Sequence, residues 1–376
     1  MAKVIVESCG DYEPQTVLRC VRKAVDQLGG MRSYINPGDK VLIKPNLIIR
    51  RRPEEATTTH PAVVAAVTAL VLEAGGVVTI ADSPGGPYTP TLLKGLYASC
   101  GMARVAEEYG VKLNLETGFE TVSYHDGRVC KSFDIIRPAV EADKIITVSK
   151  LKTHVMSYMT GCVKNLFGIV PGTYKAEYHF RMPDKKLFSD MLVDLCGYAS
   201  PVLSIMDAID GMEGDGPTSG QPRHIGKLLA GANPHEVDYT AAALIGIDQN
   251  LVYTLKNAME RKLLTPREIQ VLGEFTPLTD FKKASVRDIH FAAKHPLRKV
   301  LDSIVNPKPT PDKYKCIACG KCMEICPAKV IKMQQRLPRI TYQSCIRCFC
   351  CHEMCPVKAM DIRRPILWNI IVKYLD

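Results

Sequence analysis

The sequence predicts an α/β fold, a mostly parallel sheet with helices on both faces, joined to a small cysteine-rich α+β domain. Three observations carry this. Over residues 1–275, short apolar strands alternate with helical periodicity, the pattern of a parallel sheet covered on both sides. Four of those strands, VLIK, VTIAD, IITVSK and LSIMD, close on a charged residue: Lys44, Asp82, Lys150 and Asp207. Beyond residue 310, eight cysteines fall into two matching runs. A chain of 376 residues, 46% of them hydrophobic, suits two or three domains with a sizeable core.

KVIVES (Lys3–Ser8) reads as the first strand. Pro14–Leu28 repeats Val17, Val21, Ala24, Val25 and Leu28 at helical spacing, and Gly29-Gly30 stops it. DKVLIKPN is a strand to Lys44. A loop with Arg50, Arg51 and Arg52 leads into Thr59-His60-Pro61, where Thr59 or His60 can cap and Pro61 suits the first turn of a helix running to Glu73. VVTIAD is a strand to Asp82, and two short helices cover Thr91–Gly110. KLNLE, FETVSYH and RVCKSFDI, within residues 111–136, read as a small antiparallel excursion turning at His125-Asp126-Gly127. DKIITVSK is a strand to Lys150. A helix over Asp184–Ala199, the strand VLSIMD to Asp207, helices over Val237–Ile245 and Leu251–Leu264, and the strand EIQVLGE complete this domain. Residues 276–309 form a linker, with a helix over Val286–Ile304 interrupted near Pro296. The proline-rich NPKPTPDK that follows is stiff and extended. Residues 365–376 read as a C-terminal helix that packs on its own protein or meets a partner or membrane surface.

Cys316, Cys319, Cys322 and Cys326, then Pro327, repeat with identical spacing as Cys345, Cys348, Cys351 and Cys355, then Pro356. A cubane cluster needs four thiolates set tetrahedrally. Three close cysteines on one loop reach three irons, and the fourth comes from elsewhere. In the bacterial two-cluster arrangement the last cysteine of each run serves the other cluster. That rule assigns Cys316, Cys319, Cys322 and Cys355 to one [4Fe–4S] cluster. It assigns Cys345, Cys348, Cys351 and Cys326 to a second, in a dicluster ferredoxin-like domain over residues 310–364. Zinc closes at four ligands and leaves the third cysteine of each run unexplained. Cys350 reads as a spectator. Cys9, Cys20, Cys100, Cys130, Cys162 and Cys196 are scattered and read as small buried apolar residues. Fifteen cysteines with no signal peptide fit a reducing cytoplasm.

Strand C-termini in an open parallel sheet share one edge, where ligands bind. Ser149–Gly172 gathers Lys150, Lys152, His154, Thr160, Lys164 and Asn165 in one short segment. With Lys44 and Asn46 they suit a small anion, phosphate or carboxylate. Lys44, Lys150, Lys152 and Lys164 are expected to fix the anion, with Asn46, Thr160 and Asn165 donating hydrogen bonds. His154, Asp82, Asp207 or Glu213 are expected to move protons. Asp207, Asp210, Glu213 and Asp215, set among glycines, also offer carboxylates to a divalent metal, though without EF-hand spacing. No phosphate-binding G-x-x-x-x-G-K-[ST], dinucleotide G-x-G-x-x-G or G-x-S-x-G motif is present.

The net charge of +10 becomes mildly basic once two clusters of about −2 each are counted, so charge alone makes a weak case for nucleic acid, with Arg50–Arg52 and the basic tail its only support. No apolar run is long enough to span a membrane. VLIKPNL, THPAVVAAVTALVLEAGG, ADSPGG, KLKTH, TGCVKNLFGIVPG, MDAIDGMEGDGP and VDYTAAALIG together resemble the family called domain of unknown function number 362, over residues 3–275. Its members often carry a C-terminal ferredoxin domain. The resemblance implies a shared polar site but supplies no substrate, and Cys162 stands where a small Ala or Ser is expected. The expectation is an anaerobic-type iron–sulfur redox protein that passes electrons to or from a small anionic substrate or cofactor bound in the α/β cleft, with a redox partner protein as its partner. The alternative is a non-catalytic ferredoxin-type carrier whose α/β domain docks a partner oxidoreductase.

Overall fold

The computed structural model describes residues 2–284 and 305–368. The helix expected over Val286–Ile304 and most of the C-terminal helix lie outside the described residues; Ile366–Trp368 form a helical turn. The chain divides into two compact units. One takes in the residues up to Lys175 and Asp184–Ala284; the other takes in Ala176–Pro183 and the cysteine-rich C-terminal part.

The first unit is built from β1 (Ala2–Ser8), α1 (Pro14–Gln27), β2 (Lys40–Pro45), α2 (Pro61–Glu73), β3 (Val77–Ile80), α3 (Pro90–Ser99), α4 (Met102–Tyr109) and β4 (Lys112–Leu113). It continues through β5 (Phe119–Ser123), β6 (Ser132–Ile136), α5 (Arg137–Val140), β7 (Lys144–His154), β8 (Tyr158–Thr160) and α6 (Cys162–Asn165). After α7 (Tyr174–Arg181) come α8 (Lys185–Ala199), β9 (Leu203–Glu213), β10 (Gln221–Gly231), α9 (Pro234–Leu244), α10 (Tyr253–Glu260) and β11 (Ile269–Gly273). Helix starts follow local chemistry. His60 accepts from Ala62 N with Pro61 in the first turn, Asp184 caps Leu187 N, and Asn233 caps His235 N ahead of α9.

The main sheet runs β11-β1-β10-β9-β7-β2-β3-β4, with β8 folded back on β7. The pairings give β1, β2, β3, β4, β7, β9 and β11 one direction, which β10 opposes. One face packs Ile43, Ile146, Val148 and Ile205 against α1–α4. The other packs Val6, Leu151, Met206 and Leu229 against α9 and α10. Side chains of a strand alternate between faces, so this division sorts every charged residue at the sheet edge.

Three expectations change. KLNLE contributes β4, a parallel extension of the main sheet, and only β5 and β6 form the antiparallel hairpin. The strands expected to end at Lys150 and Asp207 run on to His154 and Glu213. β10, absent from the sequence reading, supplies the antiparallel partner for the far half of β9. Glycine and acidic residues hide the strand character of that segment, and cross-strand pairing restores it.

In the second unit, β12 (Lys308–Pro311) pairs with β15 (Met360–Arg363), and β13 (Ile331–Gln334) pairs with β14 (Leu337–Ile340), both antiparallel. The proline strap is extended and hydrogen-bonded as β12. No helix among the described residues is long and apolar enough to cross a membrane.

Candidate functional site

The second unit repeats one loop twice. Ala318 and Arg347, Gly320 and Phe349, and Lys329 and Lys358 hold equivalent places in the two cysteine runs, and all six have left-handed backbone (φ 58 and 53, 76 and 58, 54 and 52). A four-residue helix follows each loop, Lys321–Glu324 and Cys350–Glu353. Left-handed turns of this kind aim successive amides inward, as in backbone sites for anionic groups. Gly320 takes the conformation freely; Phe349 holds the equivalent position while 1% exposed.

The two loops enclose two hollows. Cys316, Cys319, Cys322 and Cys355 line one, with Pro311, Ile317, Met333 and Pro338. Cys326, Cys345, Cys348 and Cys351 line the other, with Val330, Ile331, Ile340 and Phe349. Each hollow thus takes three cysteines from one run and the last cysteine from the other. Between them Cys326, Ile331, Cys351 and Met360 form a small apolar core. Four thiols in a largely apolar lining suit an iron–sulfur group, which is held by thiolates and tuned by hydrogen bonds to sulfur. Ala359 N already donates to Cys355 Sγ at 3.1 Å. Cys350 is buried and lines neither hollow.

In the first unit the expected strand-end residues divide between the faces of the sheet. Lys44 alternates with Ile43 and so points away from α1 and α2. It is 1% exposed and sits 2.6 Å from Asp82 Oδ1, also donating to Asn165 Oδ1 and Pro45 O at 2.9 Å. Burial lowers its pKa while Asp82 raises it. Lys150 and Lys152 share the parity of Val148 and lie on the α2 face. Lys150 donates to Asp207 Oδ2 at 2.9 Å and to Tyr12 Oη at 2.8 Å. Tyr12 donates to Asp207 Oδ1 at 2.9 Å and stacks on His60 at 3.6 Å between ring centroids. His60 is half-buried, and its loss of hydration pushes it down to about 4.

Asn46 links the two groups at the edge. Its Nδ2 donates to Asn165 Oδ1 at 3.2 Å, and its Oδ1 accepts from Lys152 Nζ at 2.6 Å; Lys152 continues to Thr57 O at 2.7 Å. A continuous chain of polar contacts therefore runs Asp82, Lys44, Asn165, Asn46, Lys152, Thr57. Asn165 also donates to Lys44 O and Thr147 Oγ1.

The remaining residues lie elsewhere. His154 Nδ1 accepts from Met156 N at 3.0 Å, holding the turn between β7 and β8. Thr160 is buried opposite Lys152 in β8, and Lys164 is half-buried on α6. Glu213 lies six residues past Asp207, roughly 20 Å along the strand, and accepts from Lys282 N at 3.1 Å. Asp210 pairs with His224 at 2.8 Å. The carboxylates offered to a divalent metal are thus dispersed by the extended strand, and among the described residues no three His, Cys, Asp or Glu side chains converge on a single ion.

Tyr12, Thr57, Ser83, Lys175 and Asp238 escape the sequence reading as site residues, and His60 enters it only as a helix cap. Tyr12 and Ser83 follow strands that end at the shared edge, which is the signal that could have found them. Lys175 stands just past the Ser149–Gly172 segment. Asp238, on α9, accepts from Cys162 N at 2.6 Å and Val163 N at 3.1 Å; burial pushes it up to about 7. The same contacts enclose Cys162, 3.1 Å from Ser149 Oγ.

Fold and cysteine geometry define an α/β protein with a ferredoxin-type 4Fe–4S domain, and the 4Fe–4S dicluster domain family matches residues 308–356. The domain of unknown function family DUF362 matches residues 41–243, and the chain belongs to it. A thylakoid-associated protein of Synechocystis sp. is 37% identical over 264 residues, covering 68% of this chain and 78% of that protein. Among solved structures, the lactate racemase apoprotein from Thermoanaerobacterium thermosaccharolyticum is similar, with a TM-score of 0.39 and 14% identity. That match covers 63% of this chain, which spans 56% of the racemase chain.

Proposed function

We propose that the protein is an iron–sulfur redox protein that passes electrons to or from a small anionic substrate or cofactor bound at the strand ends of the α/β unit. The observation that carries this is the sorting of eight cysteines into two crossed fours around two hollows. Cys316, Cys319, Cys322 and Cys355 hold one [4Fe–4S] cluster, and Cys345, Cys348, Cys351 and Cys326 hold the second. Each carries one electron at a time, at low potential for all-thiolate ligation. In the α/β unit, Lys44, Lys150, Lys152 and Lys164 supply positive field at one edge, with Asn46, Thr160 and Asn165 as polar contacts. Asp82, Asp207, His154 and Glu213 are the groups available to protons that accompany electrons. Fifteen cysteines, with no disulfide among the described residues, suit a reducing compartment such as the cytoplasm.

A second reading is favoured by one observation. Lys44 and Lys150 already have carboxylate partners, as in a scaffold that docks a partner oxidoreductase. One experiment separates the two. Protein prepared and reduced without oxygen is mixed with small carboxylates and phosphate esters while the visible absorption of the clusters is followed. Reoxidation that depends on one anion and is lost in Lys164→Ala supports the first reading. Reoxidation only by a partner protein, unchanged in Lys164→Ala, supports the second.

A further inference from the structure

Lys175 differs from the paired lysines. Its Nζ donates to Val170 O at 2.5 Å, Ser83 Oγ at 3.1 Å and Pro84 O at 3.3 Å. All three acceptors are neutral. Among the described residues no carboxylate lies within ion-pairing distance of it, whereas Lys44 and Lys150 each sit close to one (2.6 and 2.9 Å). Lys175 is half-buried, so its charge is neither fully hydrated nor matched.

Ser83 gives an independent sign. It is 2% exposed, and its Oγ accepts from Gly172 N at 2.6 Å as well as from Lys175. A hydroxyl has two acceptor lone pairs and one donor. Both lone pairs are taken, and the O–H has no acceptor among the described residues. The position is tightly built. Ser83 N donates to Gly168 O at 2.8 Å. A side chain at Gly168 would strike Asp82 Oδ1 and Lys44 Nζ, so glycine lets the loop close over that ion pair.

Lys44 and Asp82 beneath, and Lys164 from α6, are the charged groups that act on Lys175. Burial first, then repulsion by Lys44 and Lys164, pushes Lys175 down to about 7, while Asp82 pulls the other way. An orphan hydroxyl donor beside an ammonium without a counter-charge lacks the same thing: an oxygen carrying negative charge.

We propose that Ser83 and Lys175, flanked by Lys164, hold the oxyanion group of a small molecule, a carboxylate or a phosphate. This rests on the reading that the α/β unit binds a small anion, and it moves the direct contact from the paired lysines to Lys175. The Ser83 O–H donates to the anion, and Lys175 exchanges one neutral acceptor for a charged one. Negative charge at that point also draws a proton onto Lys175, so binding near neutral pH takes up a fraction of a proton.

The test is titration calorimetry on the intact, cluster-loaded chain without oxygen at about pH 7.5, in two buffers of different ionisation heat. Sulfate serves as a non-titrating mimic of phosphate, and acetate as the carboxylate probe. The expected result is that one of them binds with net proton uptake. Lys175→Met weakens binding about tenfold or more and abolishes the uptake. Ser83→Ala weakens binding less and keeps it. An unchanged far-ultraviolet circular dichroism spectrum and urea midpoint show that the α/β unit of each variant is folded. Binding of neither probe, or equal affinity and uptake in Lys175→Met, overturns the proposal. Anion-dependent cluster reoxidation that persists in Lys175→Met also overturns it while leaving the redox reading intact. The expected calorimetry, with no anion reoxidising the clusters, upholds this site and removes the redox reading.

Discussion

At the sheet edge, Lys44 lies on Asp82 and Lys150 on Asp207, and Asn165 and Asn46 carry the chain of contacts onward to Lys152. In the cysteine-rich unit, like donors converge instead, four thiols on each of two hollows. The first arrangement compensates itself and stiffens the fold. The second concentrates ligands of one kind where a metal group supplies the compensation. Removing a residue should therefore cost stability in one unit and metal in the other.

The largest effect belongs to the crossed cysteines. Cys326→Ser and Cys355→Ser should each lower iron from about eight to about four per chain, measured with acid-labile sulfide. Crossing adds a stricter outcome. Cys326→Ser with Cys345→Ser should lose no more iron than Cys326→Ser alone, whereas Cys326→Ser with Cys316→Ser should lose all of it. Uncrossed ligation reverses these two doubles.

Lys44→Met comes next. It leaves Asp82 buried without its cation and should destabilise the α/β unit by about 3–5 kcal/mol in urea unfolding, with iron content unchanged. Adding Asp82→Asn should recover part of that loss, the non-additivity expected of a pair in contact. Iron loss in Lys44→Met would break the division between the units.

Asp238 predicts a pH dependence. Its folded pKa, about 7, lies above the usual 3.8. Its contribution is fully present below about 3.8 and is lost as pH rises through about 7. Urea midpoints of the wild-type chain should fall between pH 5 and pH 8, and Asp238→Asn should flatten that fall by roughly 2 kcal/mol. A parallel pair of pH curves would contradict it. The smallest effect is Gly168→Ala, where the new methyl presses on Lys44 and Asp82. It should cost about 1–3 kcal/mol by the same unfolding assay.

What the sequence reveals follows from the range of the interactions. The cysteine runs are local: close spacing within each run sets its loop (316–326 and 345–355), and the identical spacing of the second run exposes the repeat. The early strands and helices are equally local, with Pro61 and His60 marking α2 and apolar periodicity marking α1. The polar site depends on register instead. Whether Lys44 and Lys150 meet is decided by which face each strand presents, and alternation sends them apart. Tyr12 reaches Asp207 across 195 positions of chain, a pairing that no spacing announces. β10 escapes a reading by periodicity because His224, Gly226 and Lys227 break its alternation at a bulge. Lys175 owes its surroundings to Ser83, 92 positions earlier.

Native mass spectrometry of the full chain, purified without oxygen and with iron and sulfide assayed on the same sample, tests the account most directly. The account predicts the polypeptide mass plus two [4Fe–4S] clusters, about eight irons and about eight sulfides, together with any small anion the α/β unit retains. Zinc in place of iron in protein never exposed to air, or a single cluster at full occupancy, would contradict it.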